Sequence, residues 1–342
     1  MKYINLSNNQ PVENETLMVG GDVERIIFDA SNLYNRAKNE TRRLFSKIEV
    51  NKNNKKFDTT KDLNAIIDNG TLVLGTENTK IPEGVTELGQ GAFAGILNPF
   101  SLTLPKTVLS IQAKAISDCA IEEFISNDGL LDIRAYAFYN CPNIKKIFLS
   151  KTVSSVKNIN EWDANLLQVL EIDKDNEFYS YDGKLLIDKK TKTLLNVNEK
   201  ALENCGEFKI EGIYEIEKDA FASKFEGVNK LVFSKDLMVI NTEAFYGCDI
   251  EKIVLEGETI SIKKNAFNRT KIKKVVAPLI SLDSILDKDA KLLFFAGFVE
   301  AYFEGAFNKD VKASYDEFAK TNKKLILSKY PNDELIKKYI EK

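Results

Sequence analysis

An Ala-Phe pair that returns about every 23 residues constrains this chain more than any other feature. Each return carries the same flanks, with aliphatic residues five and eight positions before the Phe and again about eight and ten positions after it. Val85, Leu88, Ala92 and Phe93 form the first copy. Val108, Ile111 and Ala115 form the second, with Ile116 in the Phe slot. Leu130, Ile133, Ala137 and Phe138 follow, closed by Ile147 and Leu149. A worn copy keeps Val153 and Val156, puts Glu161 in the slot and closes with Leu170 and Ile172. Further on come Val197, Ala201 and Leu202, then Ile213, Ile216, Ala220 and Phe221. Leu237, Ile240, Ala244 and Phe245 are closed by Ile253 and Leu255, and Ile262, Ala266 and Phe267 by Val275. A single turn of this kind cannot bury its own apolar face. Stacked turns bury a continuous core, so the pattern predicts a solenoid of short parallel strands.

Two stretches interrupt or precede the repeat, 54–76 and 173–196. Phe57 matches Phe178, Ala65-Ile66-Ile67-Asp68 matches Leu185-Leu186-Ile187-Asp188, and Leu72-Val73 matches Leu194-Leu195. Each has two apolar runs joined by a polar turn, Asp68-Asn69-Gly70 or Asp188-Lys189-Lys190, which reads as a β-hairpin. The unit Ile/Leu-Pro-x-x-Val-x-x-Ile-x-x-x-Ala-Phe-x-x-Cys, with interrupting hairpins of the Asn-x-x-Phe…Asp-Gly-x-Leu-Leu/Ile kind, resembles the BspA-like leucine-rich repeats over residues 48–277. The resemblance implies a leucine-rich-repeat β-solenoid with hairpin insertions. It also implies a role in bacterial cell-surface adhesion and host-protein binding, and it offers no catalytic residues to carry over.

The ends of the chain leave the repeat. Residues 1–47 read as an N-terminal cap, with a strand-like Val23–Ala30 and a helix starting at Ser31. The solenoid spans 48–277, with the hairpin insertion at 173–196. Residues 278–342 switch to helical periodicity and read as three amphipathic helices, the last started by Pro331-Asn332-Asp333. Eight aromatics from Phe294 to Phe318 leave two readings open: a helical cap with its own small core, or a partner-binding module.

The chain has no histidine, which excludes a Ser-His-Asp triad, a Cys-His pair and a His-ligated zinc. Cys119, Cys141, Cys205 and Cys248 all stand three residues after a slot position, as small residues facing the interior. The slots themselves, Phe93, Ile116, Phe138, Phe221, Phe245 and Phe267, are expected in the core. Asp173, Asp175, Glu177 and Asp182 crowd the insertion without the glycine and terminal Glu of a calcium loop. Six Lys and Arg from Lys263 to Lys274 form either a solvated face or an acidic-partner patch.

A net charge of −3 gives no reason to expect nucleic acid. No apolar run is long enough to span a membrane, and no secretory leader is visible, so the sequence as given reads as cytoplasmic. Removal of a leader would make it a surface or secreted protein. No cofactor and no metal site are expected. The reading is a monomeric, non-catalytic protein-binding scaffold. Its alternatives are an adhesin for host matrix protein or glycan, and, further off, a carboxylate-based enzyme. Tyr136, Tyr139, Trp162, Tyr179 and Tyr181 are the candidate partner-binding residues.

Overall fold

Each repeat folds into a two-residue strand, an Ala-Phe turn and a longer strand, and successive turns pair in parallel. The computed structural model describes residues 3–5, 11–27, 45–57, 64–156, 166–221, 228–277 and 279–342. Glu161, Trp162 and the expected helix from Ser31 to Leu44 lie outside these residues. The chain divides into two units, Met1–Ser180 and Tyr181–Lys342.

In the first unit the short strands Glu87–Leu88, Ser110–Ile111, Asp132–Ile133 and Ser155–Val156 form one parallel ladder. The hairpin of Ala65–Asp68 and Thr71–Gly75 starts it, because Leu72 pairs with Leu88. The long strands Phe100–Thr103, Ile121–Ile125, Lys146–Leu149 and Leu170–Ile172 form a second ladder. The second unit repeats the plan. Its hairpin is Leu185–Asp188 with Thr193–Val197, followed by Glu215–Ile216, Val239–Ile240 and Ser261–Ile262. Its long strands are Glu207–Ile210, Lys230–Phe233, Lys252–Leu255 and Lys274–Val276. The predicted leucine-rich-repeat β-solenoid, its hairpin insertions and the helical C-terminal module are all present.

Strand periodicity decides which residues stack inside. Leu88, Ile111 and Ile133 align in register and are fully buried, as are Phe124 and Ile147 of the long ladder. All six slot residues named above are at most 4% exposed. Phe221, Phe245 and Phe267 stack face to face at 4.9 and 5.1 Å between centroids. Backbone bonds between turns fix that stacking: the N–H of Phe93, Ile116, Phe221 and Phe245 each donates to the Ala carbonyl of the following turn. Small Ala residues in the slot before Phe allow this approach.

Six of the turns need left-handed backbone two residues before the slot, while the Ala201-Leu202 copy is a turn of helix instead. Gly91, Lys114, Tyr136, Asp219, Glu243 and Asn265 all have φ between 58° and 72°. For the non-glycine residues this is a cost of order 1 kcal/mol each, borne by the burial on either side.

Helix α1 is a single turn, Glu199–Leu202, capped by Asn198. The C-terminal module holds α2 (Lys288–Glu304), α3 (Lys312–Lys329) and α4 (Glu334–Ile340). Asp287 caps α2 by accepting from the N–H groups of Asp289 and Ala290, and Gly305 at φ 72° ends it. Asp333 caps α4 in the same way. Helix α2 is apolar nearly all round because it is sandwiched. One side covers the last long strand, with Phe294 edge-on to Phe267 at 6.1 Å. The other meets α3 and α4, where Phe298 stacks on Tyr315 at 3.9 Å and Phe295 meets Tyr339 at 5.8 Å.

Candidate functional site

Side chains on the long strands alternate between core and solvent, so each ladder presents outward rows spaced by about 4.8 Å. In the first unit, register places Ser101, Glu123 and Lys146 in one row. Thr103, Ile125, Phe148 and Glu171 form the next. Ile125 and Phe148 are half-buried, and an ion pair between Lys146 and Glu171 at 3.1 Å borders them. An apolar centre inside a charged rim is the composition of a protein contact surface. Sequence reasoning did not single out Ile125 or Phe148. Lys146–Leu149 alternates strictly, but Ile121–Ile125 carries a bulge between Ile121 and Glu123, so which outward residues share a row is set by the register between strands.

In the second unit the rows are Glu207, Lys230, Lys252 and Lys274, and Lys209, Val232, Val254 and Val276, of which Val232 is buried. Lys230 pairs with Glu207 at 3.1 Å, and Lys252 and Lys274 both bind Glu300 of α2. Burial works to raise the Glu300 carboxyl, but the hydrogen bonds from the two lysines outweigh it and hold it below the ordinary carboxylate range.

Of the five candidate aromatics, the structure brings Tyr136 and Tyr139 together, edge to face at 5.9 Å on one Ala-Phe turn. Both are half-buried, and Lys114 from the preceding turn lies 5.7 Å over the Tyr136 ring. Beside them Asn140 donates to Asp118 at 2.6 Å. Tyr179 is placed differently. It is 7% exposed, and its hydroxyl donates to the Ser154 carbonyl and accepts from the Val156 N–H. It is a core residue, while its neighbour Phe178 is 39% exposed. The sequence match of Phe57 with Phe178 was therefore one residue out of register, and Tyr179 is the counterpart of buried Phe57. Tyr181 belongs to the second unit, where its hydroxyl donates to the Gly183 carbonyl and accepts from Asn198. Trp162 lies outside the described residues.

The remaining chemistry-bearing groups serve the scaffold. Cys119, Cys141 and Cys248 are buried, and Cys205 is half-buried. The Cys119 and Cys141 sulfurs stand 3.9 Å apart, and both thiols point at the Ile116 carbonyl. Hydrogen bonding to Cys119 and burial push the Cys141 thiol well up, and burial does the same to Cys248, so neither is a ready nucleophile. Asp173 and Asp182 accept backbone N–H groups in local turns. Among the described residues no group of three or more Cys, Asp or Glu is placed to hold a metal ion. Within the basic run, two lysines are answered by carboxylates of the preceding turn, Lys271 by Asp249 at 3.1 Å and Lys273 by Glu251 at 3.2 Å, and Lys274 is answered by Glu300 of α2. Arg269 donates to the Tyr246 hydroxyl at 2.9 Å.

The model of the BspA type leucine-rich repeat region matches this chain in six copies, over residues 74–182 and 214–288, just over half its length. The chain belongs to the BspA-type leucine-rich repeat family. Members of this family are in general non-catalytic repeat scaffolds. Among solved structures, the chain is similar to the pneumococcal vaccine antigen PcpA, at 15% identity and a TM-score of 0.45, covering 80% of this chain and 67% of that one. A leucine-rich cell surface protein from Faecalibacterium prausnitzii matches at 16% identity and a TM-score of 0.46, covering 85% and 81%. A leucine-rich repeat protein from Eubacterium ventriosum matches at 14% and 0.41, covering 78% and 74%. Among curated proteins none matches in sequence.

In this BspA-type solenoid the inward slots take aliphatics, Ala-Phe pairs and small Cys, and the outer rows take Lys, Glu and scattered apolar residues.

Proposed function

We propose that this chain is a non-catalytic protein-binding scaffold that works as a monomer and needs no cofactor. The observation that carries this reading is the outward face of the first unit's long ladder. There Ile125 and Phe148 sit in register beside Thr103, within a border of Glu123, Lys146 and Glu171. Apolar contact area on a rigid, pre-formed sheet costs little conformational entropy on binding, which suits recognition of a folded protein surface. Tyr136 and Tyr139 form a second aromatic contact on the Ala-Phe side of the same unit.

The test uses the full chain immobilised as bait beside a double variant, Ile125→Lys with Phe148→Lys, and a second, Tyr136→Ala with Tyr139→Ala. A protein partner held by the parent and lost by one variant of unchanged melting temperature supports the reading. Identical captured sets for all three baits would sink it.

The cytoplasmic and cell-surface readings also part on experiment. No described helix is long and apolar enough to cross a membrane. The adhesin alternative rests on the family resemblance, and labelling of intact cells with an impermeant reagent separates the two. Turnover of any substrate that a single carboxylate substitution abolishes would overturn the non-catalytic reading.

A further inference from the structure

The bend after strand Lys47–Val50 repeats, bond for bond, the bend after strand Leu170–Ile172. Strand Thr16–Val19 runs parallel to Lys47–Val50, as Lys146–Leu149 does to Leu170–Ile172. The Asn51 N–H donates to the Val19 carbonyl at 2.8 Å, and the Asp173 N–H to the Leu149 carbonyl at 2.8 Å. Asn54 N–H then donates to the Asn51 carbonyl, and Asn176 N–H to the Asp173 carbonyl. The Asn51 side chain accepts from the Asn53 N–H at 2.9 Å, and that of Asp173 from the Asp175 N–H at 2.9 Å.

A buried amide stands at the centre of each bend. Asn54 donates both amide hydrogens, to the carbonyls of Gly20 and Val23, and accepts from the N–H groups of Lys56 and Phe57. Asn176 donates to the carbonyls of Ser150 and Val153, and accepts from Phe178 and Tyr179. All eight distances lie between 2.8 and 3.0 Å. Asn54 is 8% and Asn176 1% exposed. Only an Asn of this reach offers two donors and two acceptor sites at once. An Asp cannot donate to the two carbonyls, and an apolar residue removes all four bonds.

The likeness continues downstream. Phe57 and Tyr179 are both buried, and a hairpin follows each. Both hairpins have their register shift at the same place, between Ile66 and Ile67 or Leu186 and Ile187. Both pass their second strand on to the next short strand, Leu72 to Leu88 and Leu194 to Ile216.

We infer that the paired strands Thr16–Val19 and Lys47–Val50, with the bend through Phe57, belong to a solenoid turn of their own, and that the described residues up to Ala277 are built as two successive copies of one unit. That unit is a turn clasped by a buried Asn, a hairpin, and a run of Ala-Phe turns. The first copy hides in the sequence because it has no Ala-Phe pair. Its Asn clasp also spans a longer stretch, 31 residues from Val23 to Asn54 against 23 from Val153 to Asn176.

Hydrogen exchange read by mass spectrometry on the full chain tests this, with Asn54→Ala and Asn176→Ala as variants. In the parent, Thr16–Val19 and Lys47–Val50 should be protected as strongly as Lys146–Leu149 and Leu170–Ile172. Each variant should lose protection around its own clasp and lower the melting temperature by a similar number of degrees. Asn54→Asp should behave like Asn54→Ala. Fast exchange of the two N-terminal strands in the parent overturns the inference, as does an Asn54→Ala protein that melts like the parent while Asn176→Ala does not. Should either variant fail to fold, the exchange pattern of the parent decides alone.

Discussion

Gly297 of α2 lies directly against the backbone of Val275: a Cβ at Gly297 would stand well inside 3.0 Å of the Val275 carbonyl. The obstacle is backbone, so no side-chain rotation relieves it. Helix α2 can cover the last turn of the solenoid only because this position lacks a side chain. Gly297→Ala should therefore push α2 off the strand Lys274–Val276 and cost about 1–3 kcal/mol. Denaturant unfolding measures this, and a midpoint equal to the parent's would show that the helix has room to shift.

The slot residues predict a contrast. Phe138 is fully buried with its ring 4.8 Å from Phe124, so Phe138→Ala should cost roughly 3–5 kcal/mol. Phe178 is 39% exposed, and Phe178→Ala should stay within about 0.5 kcal/mol. Equal losses in the two variants would mean that the register of the second clasp is misplaced.

Glu300 couples the helical module to pH. Its carboxyl is held below the ordinary range by Lys252 and Lys274, against the opposing effect of burial. A lowered folded-state pKa contributes stability that is present above the unfolded value, about 4.3, and is lost as pH falls through the folded value. The parent should thus lose stability on acidification that Glu300→Gln does not lose. Thermal melts of both proteins from neutral pH down to about 3 read the difference. Parallel curves would remove Glu300 from the account.

The cysteines should react unequally. Iodoacetamide on the native protein should modify half-buried Cys205 well before Cys119, Cys141 or Cys248. Peptide mapping follows the order. Early labelling of Cys141 or Cys248 would mean that their turns open far more readily than a packed solenoid allows.

The Ala-Phe slots were legible in the sequence because inward positions accept few residue types and recur with the turn. The outward residues were not. Ile125 and Phe148 matter through the register of three neighbouring strands, which no single segment encodes. Aromatic content alone also misled. Tyr179 carries the composition of a contact residue, yet its hydroxyl is spent on Ser154 and Val156. The aromatics of the C-terminal module look abundant for a lid, and the structure consumes Phe294, Phe295, Phe298 and Tyr315 in one core.

By itself, the sequence determined the solenoid, its hairpins and the three C-terminal helices. Periodicity and capping are local properties, and each copy of the repeat restates them. Only the tertiary structure decided that Asn54 and Asn176 do the same work. A clasp is defined by carbonyls more than twenty residues away, which the Asn that opens a hairpin motif does not show. The same holds for Gly297, whose lack of a side chain acquires meaning only when a distant strand is laid against it.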